Sequence, residues 1–349
     1  MSKKTKLKDE FKIGNGIIWV LSDDRPGNYL QAIGLAEKIA EISPSTTQIK
    51  KINYNFCARL PNFLKIDGMM GIDESSKISL LDKFFSDFSL RKNDTPNIII
   101  SAGRKTAPIA AFLKNYYQAF AIQIMNPNWN FAKFDVVVLP SHDKKNKYDN
   151  VIRMTGSLTR IDDELLKTEY QKFSNVLQKI SSPKIALLVG GSSKKGKFTN
   201  QTAEALGKIV SNITKQMNGN LLVLNSRRTG EEITEILDQN LDCPKKIFKW
   251  KNQDWQNPYF AVLQAADFII ATGDSISMCS EICSLGKPVY IFNPPEICSS
   301  KHLKFHQDLF DQSFAKKLNE QTKILEHYSA KKLIETHRIA KLIVGRFIF

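Results

Sequence analysis

Short apolar, β-branched runs alternate with helix-length amphipathic segments along almost the whole chain, and this alternation restricts the fold more than any other feature of the sequence. Ile17 to Ser22 reads as a strand and Tyr29 to Ile42 as a helix with Leu30, Ile33, Ile39 and Ile42 inward. Asn97 to Ser101 is a strand and Thr106 to Gln118 a helix, with further strands at Ala121 to Met125, Val136 to Pro140 and Asn150 to Met154. A helix between two strands carries the chain back to its starting edge, so the strands run parallel in an open, doubly wound sheet.

The pattern pauses over the polar helical stretch Asp162 to Lys179 and over Ser181, Ser182 and Pro183, then restarts with a strand at Ile185 to Val189. A helix at Thr199 to Gln216, a strand at Leu221 to Asn225, helices at Glu231 to Leu237 and Tyr259 to Ala266, and a strand at Phe268 to Thr272 follow. A helix at Ser277 to Leu285 and a strand at Val289 to Phe292 complete the second series. The 349 residues are two domains' worth at roughly 100–200 each. An α/β protein of two Rossmann-like domains facing a cleft is expected, divided as 1–165 and 166–335 with a final segment 336–349. Ligands of such sheets bind outside the carboxyl ends of the strands, so the chemistry belongs in the loops after each strand.

No stretch approaches the roughly 20 uninterrupted apolar residues of a membrane-spanning helix, and Met1 to Lys12 lacks the apolar run of a secretory signal, so a cytoplasmic protein is expected. Cys57, Cys243, Cys279, Cys283 and Cys298 are odd in number and lack CxxC spacing, which points to reduced thiols rather than a disulfide framework or zinc ribbon. Lys and Arg outnumber Asp and Glu 50 to 35, a net charge of +15 that attracts nucleic acid, anionic headgroups or a phosphorylated substrate. The basic residues are spread along the chain without zinc-finger spacing, an RNA-recognition motif or a basic heptad region, so nucleic acid is not an expected partner.

Three loops of the second half suit a nucleotide. Gly190, Gly191, Ser192, Ser193, Lys194, Lys195, Gly196 and Lys197 lie between a strand and a helix start, where backbone amides attract phosphate. Gly191, Gly196 and Lys197 fit GxxxxGK, but Phe198 stands where a magnesium-binding Ser or Thr would be, which argues against an ATPase. Ser226, Arg227 and Arg228 follow another strand; an arginine fork there matches phosphate, and an exposed ion pair is the alternative. Asp274, Ser275 and Ser277 open a helix that carries Glu281, whose carboxylate can accept both hydroxyls of a ribose, and Gly286 with Pro288 ends it.

In the first half, Asp23, Arg25 and Gly27 form the first strand-to-helix loop, and Gly103, Arg104 and Lys105 form another. His142 and Asp143 follow a strand, where a carboxylate can orient an imidazole for proton transfer or the pair can simply be solvated. His302 and His306 are four apart on a helix, but without HExxH or a third ligand they read as structural, so no metal is expected. Phe56 to Met70 mixes Phe56, Leu60, Phe63, Leu64, Met69 and Met70 with Arg59 and Lys65, which suits an interfacial surface or a buried helix equally.

The order of the Gly-Gly-Ser loop, Ser-x-x-x-Glu and the Gly-x-Pro turn resembles the C-terminal domain of GT-B glycosyltransferases such as the lipid II-forming N-acetylglucosaminyltransferase. More closely, the chain resembles bacterial members of the mitochondrial-fission family named for elongated mitochondria. The matching pieces are Trp19-Val20-Leu21-Ser22-Asp23, Pro26-Gly27, Gln31, Gly34-Leu35-Ala36, Ser101-Ala102-Gly103-Arg104, His142-Asp143, Ser226-Arg227-Arg228-Thr229, Asn257-Pro258-Tyr259, and Asp274-Ser275-Ile276-Ser277-Met278 with Glu281. The chain departs from that pattern at Asp24, where a Gly is frequent, and at Asn28, where some members have His or an acid.

The resemblance implies a GT-B-like architecture whose terminal helix crosses back to the first domain. It implies a metal-independent glycosyltransferase without a cofactor, moving a sugar from a nucleotide donor, UDP-linked in the nearest analogy, to an anionic or lipid-linked acceptor. Gly190, Gly191, Ser192, Ser226, Arg227, Arg228, Asp274, Ser275, Ser277 and Glu281 would bind the nucleotide, and Arg25, Gly27, Gly103 and Arg104 the acceptor. Asp23 would be the catalytic base, with His142 and Asp143 in reserve. The alternative it implies is a membrane-peripheral adaptor on the inner face of the membrane, without catalysis; a third possibility, a sugar-nucleotide epimerase, lacks an early GxGxxG and the Tyr-x-x-x-Lys pair such enzymes use.

Overall fold

The structure, a computed structural model, describes residues 16–23, 25–56, 62, 69–70, 72–81, 95–143, 147–193, 196–250 and 257–348. Cys57, Arg59, Leu60, Phe63, Leu64, Lys65, Asp24, Lys194 and Lys195 lie outside the described residues. The chain forms two compact units, Met1–Arg160 with Ile334–Phe349, and Ile161–Leu333. Each is built on one six-stranded sheet.

The first unit contains β1 (Gly16–Ser22), α1 (Pro26–Ile42), β2 (Ser45–Lys51), α2 (Glu74–Leu81), β3 (Ile98–Ala102), α3 (Ala107–Tyr117), β4 (Phe120–Ile124), β5 (Val136–Pro140) and β6 (Val151–Met154). Its strands are parallel in the order β2-β1-β3-β4-β5-β6. Every residue of β3, β4 and β5 is buried, as expected of strands covered on both faces. The edge strand β2, STTQIKK, alternates between half-buried and exposed, so a search for apolar runs passes over it. Helix α1 begins three residues before the apolar pattern does, because Pro26 presets the first helical φ and needs no N–H partner.

The second unit contains α4 (Asp163–Leu177), β7 (Lys184–Val189), α5 (Asn200–Gln216), β8 (Asn220–Asn225), α6 (Glu231–Asn240), β9 (Lys245–Phe248), α7 (Tyr259–Ala265), β10 (Phe268–Thr272), α8 (Ile276–Cys283), β11 (Val289–Phe292), α9 (Ser300–Asp311) and β12 (Lys316–Leu318). Its parallel order is β12-β11-β10-β7-β8-β9.

After β12 the chain crosses back to the first unit as α10 (Glu335–Ile343). Ile339, Ala340 and Ile343 join Ile33 and Ala36 of α1 in one core cluster. Glu335 accepts a 2.8 Å bond from the Thr155 amide, and the Thr336 hydroxyl both accepts from the Thr159 amide and donates to its carbonyl at 2.8 Å. None of the described helices is long and apolar enough to cross a membrane.

In each sheet one strand has neighbours reached by crossovers in opposite directions: β1 lies between β2 and β3, and β7 between β8 and β10. Loops diverge at such switch points and leave a crevice at the carboxyl edge.

Candidate functional site

At the second switch point the loop after β7 meets those after β8 and β10 around one carboxylate. Asp274, 4% exposed, accepts from the Gly191 amide at 3.0 Å, from the Thr272 hydroxyl at 2.7 Å and from Arg228 Nη2 at 2.8 Å. Thr272 in turn accepts from the Gly190 amide at 2.8 Å. Gly190 cannot be replaced without rearrangement, since a Cβ there would overlap the Asp274 carboxylate. The Thr229 hydroxyl joins the loops from the other side, bonding the Val189 carbonyl at 3.0 Å and the Gly190 carbonyl.

The sequence motifs therefore split by role. Ser226 closes its own turn, with its amide 2.9 Å and its hydroxyl 3.1 Å from Thr229 Oγ1. Ser192 accepts from the Phe198 amide at 3.0 Å, and Phe198 is buried in the core, so these two residues of the near-P-loop run are held against their own unit. Gly191 and one Arg228 nitrogen are already engaged by Asp274, whereas Arg227 is exposed and makes no ion pair or hydrogen bond among the described residues. Ser275 caps α8, accepting from the Met278 amide at 3.4 Å, and Ser277 lies half-buried in the first turn. That helix start has no acidic residue in its first turn, so its partial positive charge can attract an anion.

On the next turns of α8, Glu281 accepts a 2.7 Å hydrogen bond at Oε2 from the Tyr259 hydroxyl, leaving Oε1 without a partner among the described residues. Desolvation pushes the Glu281 carboxyl up to about 7, against the Tyr259 hydrogen bond, which pulls it down. Tyr259 begins α7, and the far end of that helix is fixed by Lys287, whose ammonium donates to the carbonyls of Leu263, Gln264 and Ala266 at 2.9, 2.7 and 2.8 Å. Burial lowers the Lys287 ammonium to about 8.

Beside Tyr259 is a cavity of about 180 Å³, far above the roughly 30 Å³ share of one water. Its lining at the carboxyl ends of β8 and β9 includes the apolar Phe248, Trp250 and Pro258 and the polar Asn225, Lys249 and Asn257. Asn225 fixes its rim, accepting from the Trp250 amide at 2.7 Å and donating to Thr234 at 2.9 Å. Sequence reasoning missed Phe248 and Trp250. The signal was an aromatic pair at the end of a strand too short and basic to be recognised.

At the first switch point, Asp23 directly follows β1, with Oδ1 accepting from the Arg25 amide and Oδ2 from Asn28 Nδ2, both at 3.0 Å. The position that departs from the family pattern thus positions the proposed base directly. Asn28 also packs on Gly103, whose φ of 81° suits glycine. Arg25 and Gly27 are exposed at the start of α1, and Arg104 is half-buried at the start of α3. His142 and Asp143 follow β5, which is three strand positions from β1. At ~4.8 Å per strand they lie roughly 14 Å from Asp23, so the two candidates cannot serve one hydroxyl together. Arg153 holds their loop, donating to the Pro140 and Asp143 carbonyls at 3.1 and 3.3 Å.

His302 completes a capping box with Ser299, and His306 is fully buried, its imidazole pushed down to about 3 by burial. Cys279 and Cys283 pack in the core. Among the described residues no cluster of His, Cys, Asp or Glu is placed to hold a metal ion.

Two Rossmann-like units with a terminal helix returning to the first define a GT-B-like α/β protein. The chain belongs to the Mitochondrial fission ELM1 family, whose pattern it matches over residues 26–347. It is 33% identical to the uncharacterized protein RP120 of Rickettsia prowazekii, over 93% of this chain and 97% of that one. It is 24% identical to mitochondrial fission protein ELM1 of Arabidopsis thaliana, over 72% of this chain and 64% of that one. Its fold is similar to UDP-GlcNAc 2-epimerase from Neisseria meningitidis bound to UDP-GlcNAc, with a TM-score of 0.53, 12% identity, and coverage of 94% of this chain and 98% of the other.

Proposed function

We propose that the chain is a glycosyltransferase that takes a sugar from a nucleoside-diphosphate donor held by its second unit and transfers it to an anionic or lipid-linked acceptor held by its first. The observation that carries this reading is the Tyr259–Glu281 pair, a carboxylate with one oxygen held by the Tyr259 hydroxyl on the helix that follows β10, while Pro258, the residue before Tyr259, lines the cavity at the ends of β8 and β9. Glu281 accepts the ribose hydroxyls, Phe248 and Trp250 face the base, and the first turn of α8 with Arg227 and the remaining Arg228 donors meets the diphosphate. The fold of the UDP-GlcNAc-bound epimerase supports a nucleotide sugar as the partner class. Asp23 deprotonates the acceptor hydroxyl, and amides, helix dipole and arginine stabilise the leaving diphosphate.

A thermal-shift series with UDP, ADP, GDP and their sugar conjugates tests the reading. A ligand at 100 times its dissociation constant should stabilise the chain by about 2.7 kcal/mol. No shift with any nucleotide would remove it.

The raised Glu281 carboxyl predicts a pH dependence. Ribose hydroxyls need the ionised form, so affinity should rise about tenfold between pH 6 and pH 8 and be flat in Glu281→Gln, measured by calorimetry. Folding runs the other way: a carboxyl raised from 4.5 to about 7 favours the fold at low pH and loses that contribution as pH rises through 7.

A second reading, the membrane-peripheral adaptor without catalysis, is favoured by Asp274, an internal anion already engaging Gly191 and Arg228. Phe56 is 79% exposed, whereas Met69 at 2% belongs to the core, so only part of the Phe56–Met70 stretch suits a bilayer. Binding to anionic vesicles should then fall steeply with salt. Equal sedimentation with neutral and anionic vesicles would count against membrane contact.

A further inference from the structure

We propose that the second unit carries a binding groove for an uncharged oligosaccharide along one flank of α5, apart from the nucleotide site. Binding there does not rest on the function proposed above, since it needs neither donor nor catalysis.

The groove is made of two cavities that share a wall. The first, of about 520 Å³, opens where the carboxyl ends of β11 and β12 meet the start of α5. The second, of about 450 Å³, continues along α5, and Gln201, Ala205, Ile209 and Glu320 line both. Each falls within the roughly 300–1,000 Å³ of small-molecule sites. On α5, Gln201, Ala205, Ile209, Asn212 and Gln216 recur every three or four residues and so share one face of the helix. At ~1.5 Å per residue that face is about 22 Å long, room for more than one sugar ring.

Both walls are fixed before any ligand arrives. Ala203, Leu206, Val210 and Ile213 of α5 lie in the core and hold the helix in its rotation. On the other side, Asn319 Oδ1 accepts from the Gln321 amide at 3.1 Å and from the Thr322 hydroxyl at 3.2 Å, closing a tight turn. The Leu325 amide lies 3.3 Å from the Met217 sulfur, which ties that segment to the end of α5. At the β11 end, Asn293 Nδ2 lies 3.3 Å from Nδ1 of the buried His306, and the Glu296 carbonyl accepts from the Lys197 amide at 2.8 Å. A preformed groove spares a ligand the cost of ordering it.

The lining selects the class of ligand. Glu204, Glu296 and Glu320 are matched in number by Lys208, Lys317 and Lys323, so the groove is neutral in a chain of net charge +15. A phosphate therefore gains nothing there over the rest of the surface. The exposed amides of Gln201, Asn212, Gln216 and Gln321 make no side-chain hydrogen bond among the described residues. Such an amide both donates and accepts, as sugar hydroxyls do, and a carboxylate accepts from two of them. Pro294, Pro295 and Leu318 add an apolar strip on which the C–H face of a sugar ring packs. A peptide backbone, with one donor and one acceptor per residue, matches fewer of these groups than a chain of hydroxyl-rich rings.

Calorimetry of the full chain with maltotetraose, cellotetraose and chitotetraose tests the groove, with glucose and tetraalanine as controls. At least one tetrasaccharide should bind, more tightly than glucose, and its affinity should not fall as salt rises. Gln201→Ala and Glu320→Ala remove exposed side chains shared by both cavities, so the fold should stand. The first should weaken binding about two- to tenfold and the second about tenfold or more. Ala205→Trp should fill the junction of the cavities and abolish binding; if it does not fold, the other two variants decide alone. UDP affinity should be unchanged in these variants, so failure here stays separate from failure of the nucleotide reading. Binding of tetraalanine but of no tetrasaccharide would make the groove a peptide site and overturn the proposal. So would a chain that binds none of the tetrasaccharides, or binding that survives Gln201→Ala and Glu320→Ala intact.

Discussion

Asp23→Asn is expected to lower turnover about 10²–10⁴-fold, the usual share of general-base catalysis, while leaving donor affinity nearly unchanged. The asparagine keeps the shape of the side chain and can still accept from the Arg25 amide, and the Asn28 amide must flip to present its oxygen to the new NH2, so the loop should hold while proton abstraction fails. Turnover is read as nucleoside diphosphate released from the donor in the presence of acceptor. His142→Gln should be mild, because His142 lies three strand positions away. Full turnover in Asp23→Asn with loss in His142→Gln would reverse the assignment, loss in neither would place the base at another residue, and a native chain without turnover would favour the adaptor.

Asp274→Ala should destabilise the chain by about 3 kcal/mol in urea unfolding. Hydrogen bonds to a charged group contribute about 1.5–3 kcal/mol each, and Asp274 accepts from Gly191, Thr272 and Arg228; the losses are not additive. A fully buried ion pair costs about 3–5 kcal/mol when one partner is removed, but Arg228 is partly exposed and can return to water. Nucleotide affinity should fall as well, because the carboxylate holds the loops after β7 and β8 against β10. Asp274→Asn should recover part of both losses. An alanine variant as stable as the native chain would show that the loops are held by other contacts.

These two aspartates mark how far the sequence could be read. Strands β3, β4, β5, β7, β8 and β10 were visible because a parallel strand covered on both faces is a short unbroken apolar run. The edge strands β2, β9 and β12 were not, since STTQIKK, KKIF and KKL hold too few apolar residues to make an unbroken run. Glu281 and Ser275 could be found because a strand end, a cap and a helix fall within one short segment. The role of Asp274 could not: its partners Gly191 and Arg228 lie 83 and 46 residues away, and a carboxylate beside two anion-binding loops reads as part of them. The aromatic cavity was hidden for the same reason, being assembled from strand ends and the start of α7.

Because α10 belongs to the first unit, the second unit is in effect an insertion within it, and the order of synthesis matters. Residues 161–333 leave the ribosome complete, while the first unit waits for Ile339, Ala340 and Ile343 to cover Ile33 and Ala36. Until then the apolar face of α1 is open to water, to chaperones or to another chain. A nascent molecule therefore passes through a stage in which its second unit is finished and its first is not.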